Sequence, residues 1–307
     1  MLILGRRYKF TRFELRKMIK KFKTIKTVAY EGKEPTELIE EIKQAAERTK
    51  SKLVILNIEP IIKDELIKVL TKLSLHGLTF MTLEHFMFKH LDKYYIDYEH
   101  PDPKLLDVLR PYTKMQYIQK RAVDFFGIFW LLFFSWPVIV YSFFRIKKES
   151  PGPILFWQDR VGAGGDEFSC VKLRSMYIDA EKHGAQFASF SDPRVFKYGE
   201  FIRKTRIDEL PQMWNVLKGD MHLIGPRPER KCFVEEYEEK IPYYEGRYQV
   251  APGVTGWAQV NYPYGSNLED TRQKLMYDLY YVRNWSIWLE LKIVWMTAKT
   301  VISGKGI

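Results

Sequence analysis

Phe125–Phe144 reads FFGIFWLLFFSWPVIVYSFF, 20 consecutive residues without a charge. At 1.5 Å per residue a straight helix of that length reaches about 30 Å, one hydrocarbon thickness. Apolar side chains cover all its faces, which argues against a core helix with one wet side. Two readings remain: a helix that crosses a bilayer, and one that enters and returns. Pro137, near the middle, deletes a backbone hydrogen bond and crowds the preceding turn. Ser135 can bond back to a carbonyl, which favours bending. Lys114, Lys120 and Arg121 precede the run, and Arg145, Lys147 and Lys148 follow it. Basic flanks prefer the cytoplasmic side. A helix-break-helix at Ser135 and Pro137 places both flanks there, and a straight crossing does not. The pattern therefore predicts a re-entrant membrane hairpin over 114–149.

Ahead of this segment, residues 1–113 read as a small α/β fragment with a basic N-terminal arm. Glu34–Lys50 has helical spacing with Pro35 near its start. Leu53–Ile58 is a short apolar run, expected as a buried strand. Pro60–His76 is amphipathic and stops at Gly77, and Leu78–Leu83 reads as a second strand. Helix, strand, helix, strand predicts a parallel sheet. No glycine-rich phosphate loop occurs here, so a nucleotide site in this part is not expected. His100-Pro101-Asp102-Pro103 has the composition of a linker.

The chain carries a formal charge of +11 over 307 residues, an excess that points to phosphate-rich partners. Residues 1–30 hold ten Lys or Arg against Glu14 alone. That arm is either solvated or laid on anionic lipid, where each cation contributes about 1 kcal/mol. Nucleic acid is not an expected partner, because no nucleic-acid-binding motif accompanies the charge. Cys170 and Cys232 have neither disulfide-framework nor zinc spacing and are expected to pack as small apolar residues in a reducing compartment. Any metal would be a hard cation on oxygen ligands. The N-terminus shows neither an apolar run nor a cleavage pattern, so no signal peptide is expected.

Residues 150–307 read as an α+β, mainly helical domain. Its sharpest feature is Arg203-Lys204-Thr205-Arg206-Ile207-Asp208-Glu209-Leu210-Pro211-Gln212. Asp208 is expected to cap a helix over Glu209–Leu217. Two adjacent carboxylates at a helix N-terminus repel each other unless a cation intervenes. Mg²⁺ bridging one carboxylate and a diphosphate resolves the conflict and leaves the other free to attack phosphorus. A capped surface helix with salt bridges is the plainer alternative. In Gly225-Pro226-Arg227-Pro228, two prolines fix the backbone around one guanidinium suited to phosphate. Ser150-Pro151-Gly152-Pro153 is a rigid exit from the apolar segment, with Lys172 and Arg174 on an expected strand. In Pro252–Val260 (PGVTGWAQV) the glycines make a tight loop, and Trp257 is a candidate for a membrane interface. Trp285–Ile302 reads as a core or interfacial helix.

The order of these segments resembles the bacterial sugar transferase family, monotopic phosphoglycosyl transferases that begin glycan assembly. The resemblance runs from Lys120 to Ile307 and includes SPGP, QDRVG at 158–162, KLRSM at 172–176, DELPQ at 208–212, NVLKGDM at 215–221, GPRP at 225–228, PGVTGWAQVN at 252–261 and YDLYYV at 277–282. It implies that Asp208 is the nucleophile on the β-phosphate of a UDP-sugar. UMP is released, and polyprenyl (undecaprenyl) phosphate then takes the phospho-sugar from the enzyme. It implies that Glu209 helps bind Mg²⁺. It also implies that Arg203 and Arg227 bind phosphate, with Lys172, Arg174 and Asp278 on the same substrate side. It implies a bacterial inner membrane protein with both domains on the cytoplasmic face, and a homodimer is a further candidate. Three positions depart from the common pattern: Trp136 between Ser135 and Pro137, Arg206 where many members have serine, and Asn261–Gly265 where many have Gly-Arg. Residues 1–113 more weakly resemble the end of a nucleotide-fold-like domain of larger members, so the chain reads as a shortened form. The alternative is a membrane-anchored scaffold on the same fold that has lost the chemistry.

Overall fold

The computed structural model describes residues 1–59, 62–107, 109–182, 184, 192–262, 265 and 267–302. They form two units, Met1–Tyr95 and Ile96–Ile307. The first contains β1 (Leu2–Leu4), α1 (Arg12–Phe22), β2 (Lys26–Val28), α2 (Pro35–Thr49), β3 (Leu53–Leu56), α3 (Asp64–Leu75), β4 (Thr79–Thr82) and α4 (Leu83–Phe86). The four strands are parallel in the order β2-β1-β3-β4. Alternation along central β1 sends Leu2 and Leu4 into a core with α2 and α3, while Ile3 joins Met18, Ile55 and Phe86 on the other face. The parallel sheet expected from residues 34–83 is present. Pro60, the expected start of α3, lies outside the described residues.

The basic arm is a correction. Residues 1–28 are folded as β1-α1-β2, with Leu15, Met18 and Phe22 turned inward at spacings of three and four. Thr11 and Glu14 close a capping box at its start. The cations occupy the outer face of a packed helix, and their density masked the apolar stripe beneath them.

The second unit begins ahead of residue 114, so the expected boundary at 113/114 falls inside it. Tyr98 donates to Arg272 O at 3.1 Å, and Tyr112 to Tyr281 at 3.2 Å. Its elements are α5 (Lys114–Glu149), β5 (Leu155–Val161), β6 (Glu167–Leu173), α6 (Lys197–Lys204), α7 (Met213–Lys218), β7 (His222–Ile224), α8 (Lys231–Lys240), β8 (Gly253–Thr255), α9 (Trp257–Asn261), α10 (Leu268–Asn284) and α11 (Ile287–Ile302). β5 and β6 form an antiparallel hairpin, and β7 pairs with β8 in parallel.

α5 is one helix of 36 residues, about 54 Å at 1.5 Å per residue. Its apolar window is 11% buried, which excludes a core helix. At the expected break, Ser135 and Pro137, helical backbone continues through the proline; a proline bends a helix without ending it. The buried Ser135 hydroxyl has no partner, so its expected back-bond is not made. One lost ladder bond does not end a helix that is docked at both ends. Ile128 sits with Cys170, Met213 and Val216, while Ile146 sits with Leu173, Phe196 and Ile202. Near the N-terminal end, Arg121 donates to Val216 O at 2.7 Å, and Leu223 N donates to Asp124 at 2.9 Å. Near the C-terminal end, Ser142 and Tyr198 hydroxyls meet at 2.8 Å, and Tyr198 N donates to Glu149 at 2.7 Å. Between these seats Phe129, Phe133, Phe134 and Trp136 are exposed.

Lys120, fully buried in α5, donates to Glu290 Oε1 of α11 at 2.6 Å, and Tyr281 and Trp285 donate to the same oxygen. Removing one partner of a buried pair leaves the other charge uncompensated. Lys120→Met should destabilise the detergent-solubilised protein by about 3–5 kcal/mol, measured by denaturant unfolding. Adding Glu290→Gln, which keeps the acceptor for Tyr281 and Trp285, should recover part of the loss.

Candidate active site

The DELPQ motif does not begin an α-helix. Ile207–Gln212 is a 3₁₀ helix that leads into α7, so Asp208 lies in its first turn rather than at a cap. Arg206 holds the preceding position in a left-handed conformation, φ 56°, which a non-glycine residue adopts at a cost of about 1–3 kcal/mol. Its side chain turns onto Glu209, with Nη1 donating to Oε2 at 3.1 Å. Arg227 Nη1 donates to the other oxygen at 3.2 Å. Glu209 is therefore held between two guanidinium groups.

Asp208 is different. The residue is 9% exposed, and its carboxylate has no hydrogen-bond or ion-pair partner among the described residues. Burial and then the charge of Glu209 push its pKa up, against Lys172, Arg203 and Arg206. Burial alone would raise Glu209, but Arg227, Arg206 and Lys172 outweigh it and hold that carboxyl below the usual range. The two carboxylates thus have divided environments, one neutralised and one available.

Lys172, on β6, faces the same space. Burial, with Arg160 and Arg227 nearby, pushes its ammonium down to about 8. Neither Lys172 nor Arg203, in the last turn of α6, has a hydrogen-bond or ion-pair partner among the described residues. Asp208, Lys172, Arg203, Arg227 and Asp278 line one cleft of about 510 Å³, a volume suited to a nucleotide-sized ligand. Glu209 stands behind Arg227.

Arg174 and Asp278 also line the cleft, each with its charge engaged inside the unit. Arg174 spends its guanidinium on the helix exit, donating from Nε to Pro153 O, from Nη1 to Ser150 Oγ and from Nη2 to Ser150 O at 2.5–2.6 Å. Asp278, on α10, pairs with Arg247 at 3.1 Å, and burial pushes its carboxyl up to about 6 despite that arginine. Trp257 is not at an interface but 1% exposed and stacked near Tyr280. Cys170 is buried as expected, whereas Cys232 is exposed. Pro263 and Tyr264 of the departing 261–265 run lie outside the described residues.

Arg160, Arg247 and Lys274 also line the cleft and were missed. Arg160 stood in the quoted QDRVG run without a role. Arg247 precedes the PGVTG run with no spacing signal of its own. Among the described residues no three or more His, Cys, Asp or Glu form a metal-holding cluster. Asp208 is the carboxylate of the pair that lines the cleft; both Glu209 oxygens are taken by guanidinium groups, so Mg²⁺, which commonly binds through one or two carboxylates plus phosphate oxygens, fits at Glu209 only in exchange for one of them.

The fold thus sets an unpaired buried carboxylate and free cations in a cleft of the unit that carries an exposed apolar helix, an arrangement for phosphoryl chemistry beside lipid. Residues 115–304 match the family model of the bacterial sugar transferases, and the chain belongs to that family. It is 48% identical over 187 residues to a UDP-N-acetylgalactosamine-undecaprenyl-phosphate N-acetylgalactosaminephosphotransferase of Aeromonas hydrophila, covering 61% of this chain and 44% of that protein. It is 39% identical over 189 residues to a UDP-glucose:undecaprenyl-phosphate glucose-1-phosphate transferase of Escherichia coli K12, covering 61% and 41%. A protein of the same description from Caulobacter vibrioides is 40% identical over 188 residues, covering 61% and 70%. The match spans less than half of the Aeromonas and Escherichia proteins.

The raised pKa of Asp208 has a sign. A carboxyl raised on folding opposes the folded state above that pKa and has no effect below the unfolded value, about 3.9. Asp208→Asn should therefore raise the melting temperature at pH 7, with the gain fading as pH falls below about 4. Thermal unfolding across pH 3.5–7.5 measures it.

Proposed function

We propose that the protein transfers a sugar 1-phosphate from a UDP-sugar to polyprenyl phosphate, through a covalent intermediate on Asp208. The observation that carries this reading is the split carboxylate pair: Glu209 is neutralised by Arg206 and Arg227, while Asp208 is buried, unpaired and beside two uncommitted cations. The names of the relatives support the donor and acceptor classes.

In the first step an Asp208 oxygen forms a bond to the β-phosphorus. The bond from that phosphorus to the oxygen bridging it to the α-phosphorus breaks, and UMP leaves with the electron pair. In the second step a phosphate oxygen of the polyprenyl phosphate bonds to the same phosphorus, and the Asp208–phosphorus bond breaks. A polyprenyl diphosphate sugar leaves and the carboxylate is restored. Lys172, Arg203 and Arg227 hold the non-bridging oxygens on which charge develops. Glu209 is the residue that would help hold Mg²⁺, in exchange for one of its guanidinium partners, and the ion would supply charge neutralisation on the diphosphate. Burial keeps water from competing for the phospho-enzyme.

Membrane placement follows from α5. Both its ends seat on one unit, so both lie on one side of a bilayer, and the exposed apolar middle dips in without emerging. This supports a monotopic protein on the cytoplasmic face of the bacterial inner membrane, in contact with anionic lipid. A scaffold without chemistry is the second reading, and the unpaired Asp208 speaks against it.

With UDP-sugars and polyprenyl phosphate in detergent, wild type should release UMP and Asp208→Asn should lose at least about a thousandfold. Quenching with labelled donor alone should leave sugar phosphate on residue 208, and a wild type that releases UMP without such an adduct would sink the covalent route. Since Lys172 lowers the pKa of Asp208, Lys172→Met should move the acid limb of kcat/KM to higher pH. Single cysteines at 114 and 148 should react with a membrane-impermeant reagent from the cytoplasmic side only.

A further inference from the structure

The loop that carries Arg227 is attached through its carbonyls. Pro226 and Pro228 have no N–H to donate. Four successive carbonyls instead accept bonds from other parts of the unit. Pro226 O accepts from Gly253 N at 2.9 Å, and Glu229 O from Val161 N at 2.9 Å. Pro228 O accepts from Arg160 Nη1 at 3.0 Å. Arg227 O accepts from Arg247 Nη2 at 2.6 Å.

Arg247 is 6% exposed and cannot shed its proton. A buried guanidinium keeps one geometry only when its charge is met and its donors are filled. Its Nη1 donates to Tyr244 OH at 2.7 Å. Its counter-charge is Asp278, 3% exposed, with Oδ2 at 3.1 Å from Nη2. Contacts therefore run from Asp278 to Arg247, to the Arg227 carbonyl, and from the Arg227 guanidinium to Glu209. No hydrogen bond joins Asp278 to Asp208, Lys172 or Arg203.

We propose that Asp278 is a positioning residue: through Arg247 it fixes the backbone of Arg227, and so sets where that guanidinium meets the transferred phosphate. This rests on the phosphoryl-transfer reading of the cleft. A direct ligand or proton carrier at 278 needs the carboxylate itself. A brace needs an acceptor at that point, which asparagine also supplies.

The test compares Asp278→Asn, Asp278→Ala, Arg247→Lys and the Ala/Lys double variant in UMP release. Asp278→Ala and Arg247→Lys should raise the donor KM at least about tenfold with a smaller fall in kcat, while Asp278→Asn, which keeps the acceptor but not the charge, should fall between wild type and Asp278→Ala. The double variant should be no worse than the weaker single, because both break one path. An Asp278→Asn as impaired as Asp278→Ala, or losses that add in the double variant, would overturn the proposal. Deuterium uptake of the 222–233 segment reads the brace without reference to activity. It should rise in Asp278→Ala and Arg247→Lys and rise less in Asp278→Asn. Unchanged uptake in Arg247→Lys defeats the brace even if UMP release is as expected. Wild-type protein that releases no UMP would instead defeat the transferase reading.

Discussion

Two buried carboxylates on adjacent residues cannot both stay ionised without help, and the catalytic unit is arranged around that constraint. Glu209 receives a guanidinium from each side. One comes from Arg206, whose backbone is left-handed and whose side chain reaches forward to Glu209. The other comes from Arg227 on a loop between β7 and α8. Once Glu209 is satisfied, Asp208 is left with burial and repulsion. A raised carboxyl that is still largely ionised at neutral pH is a better nucleophile than one locked in salt bridges. The strain at Arg206 thus has a local use, since it brings a cation within 3.1 Å of Glu209.

The apolar helix and the site share supports. β6 contributes Cys170 to the seat of Ile128 and Leu173 to the seat of Ile146, and Lys172 lies between them. β7, which precedes the Arg227 loop, receives α5 through Asp124, which bonds His222 at 2.5 Å and the amide of Leu223. The elements that seat α5 are the elements that hold the cleft-lining cations. In the proposed reaction a lipid substrate and a water-soluble one would then meet without a separate moving part.

Sequence legibility followed the range of each signal. The length and uniform apolarity of 125–144 gave the membrane segment, and helix–strand alternation gave the parallel sheet. Both are local. β1 and α1 were hidden because three apolar residues are too few to read as a strand and because cations crowd the stripe of Leu15, Met18 and Phe22. The Asp-Glu pair and Arg227 were legible as motifs, but the division of labour between Asp208 and Glu209 was not. It arises from distances to Arg206 and Arg227 that no spacing encodes. Pro137 alone does not say whether the helix ends there. Its missing donor is a local fact, whereas the continuity of α5 depends on two tertiary seats 18 residues apart, at Ile128 and Ile146. Arg174 resembled a phosphate ligand until its three nitrogens were found on Ser150 and Pro153.

The cations that flank α5 are fewer, seen from the lipid, than the sequence suggests. Lys120 is consumed by Glu290, Arg121 by two carbonyls of α7 and by Asp124, and Arg145 by Glu149. Lys114, Lys147 and Lys148 remain exposed. At about 1 kcal/mol per ion near an anionic headgroup layer, attraction from these flanks is roughly half of what six free charges would supply. On the proposed placement, retention at the bilayer would depend mainly on the exposed aromatic span of α5, and raising the ionic strength should strip little of the protein from its membrane.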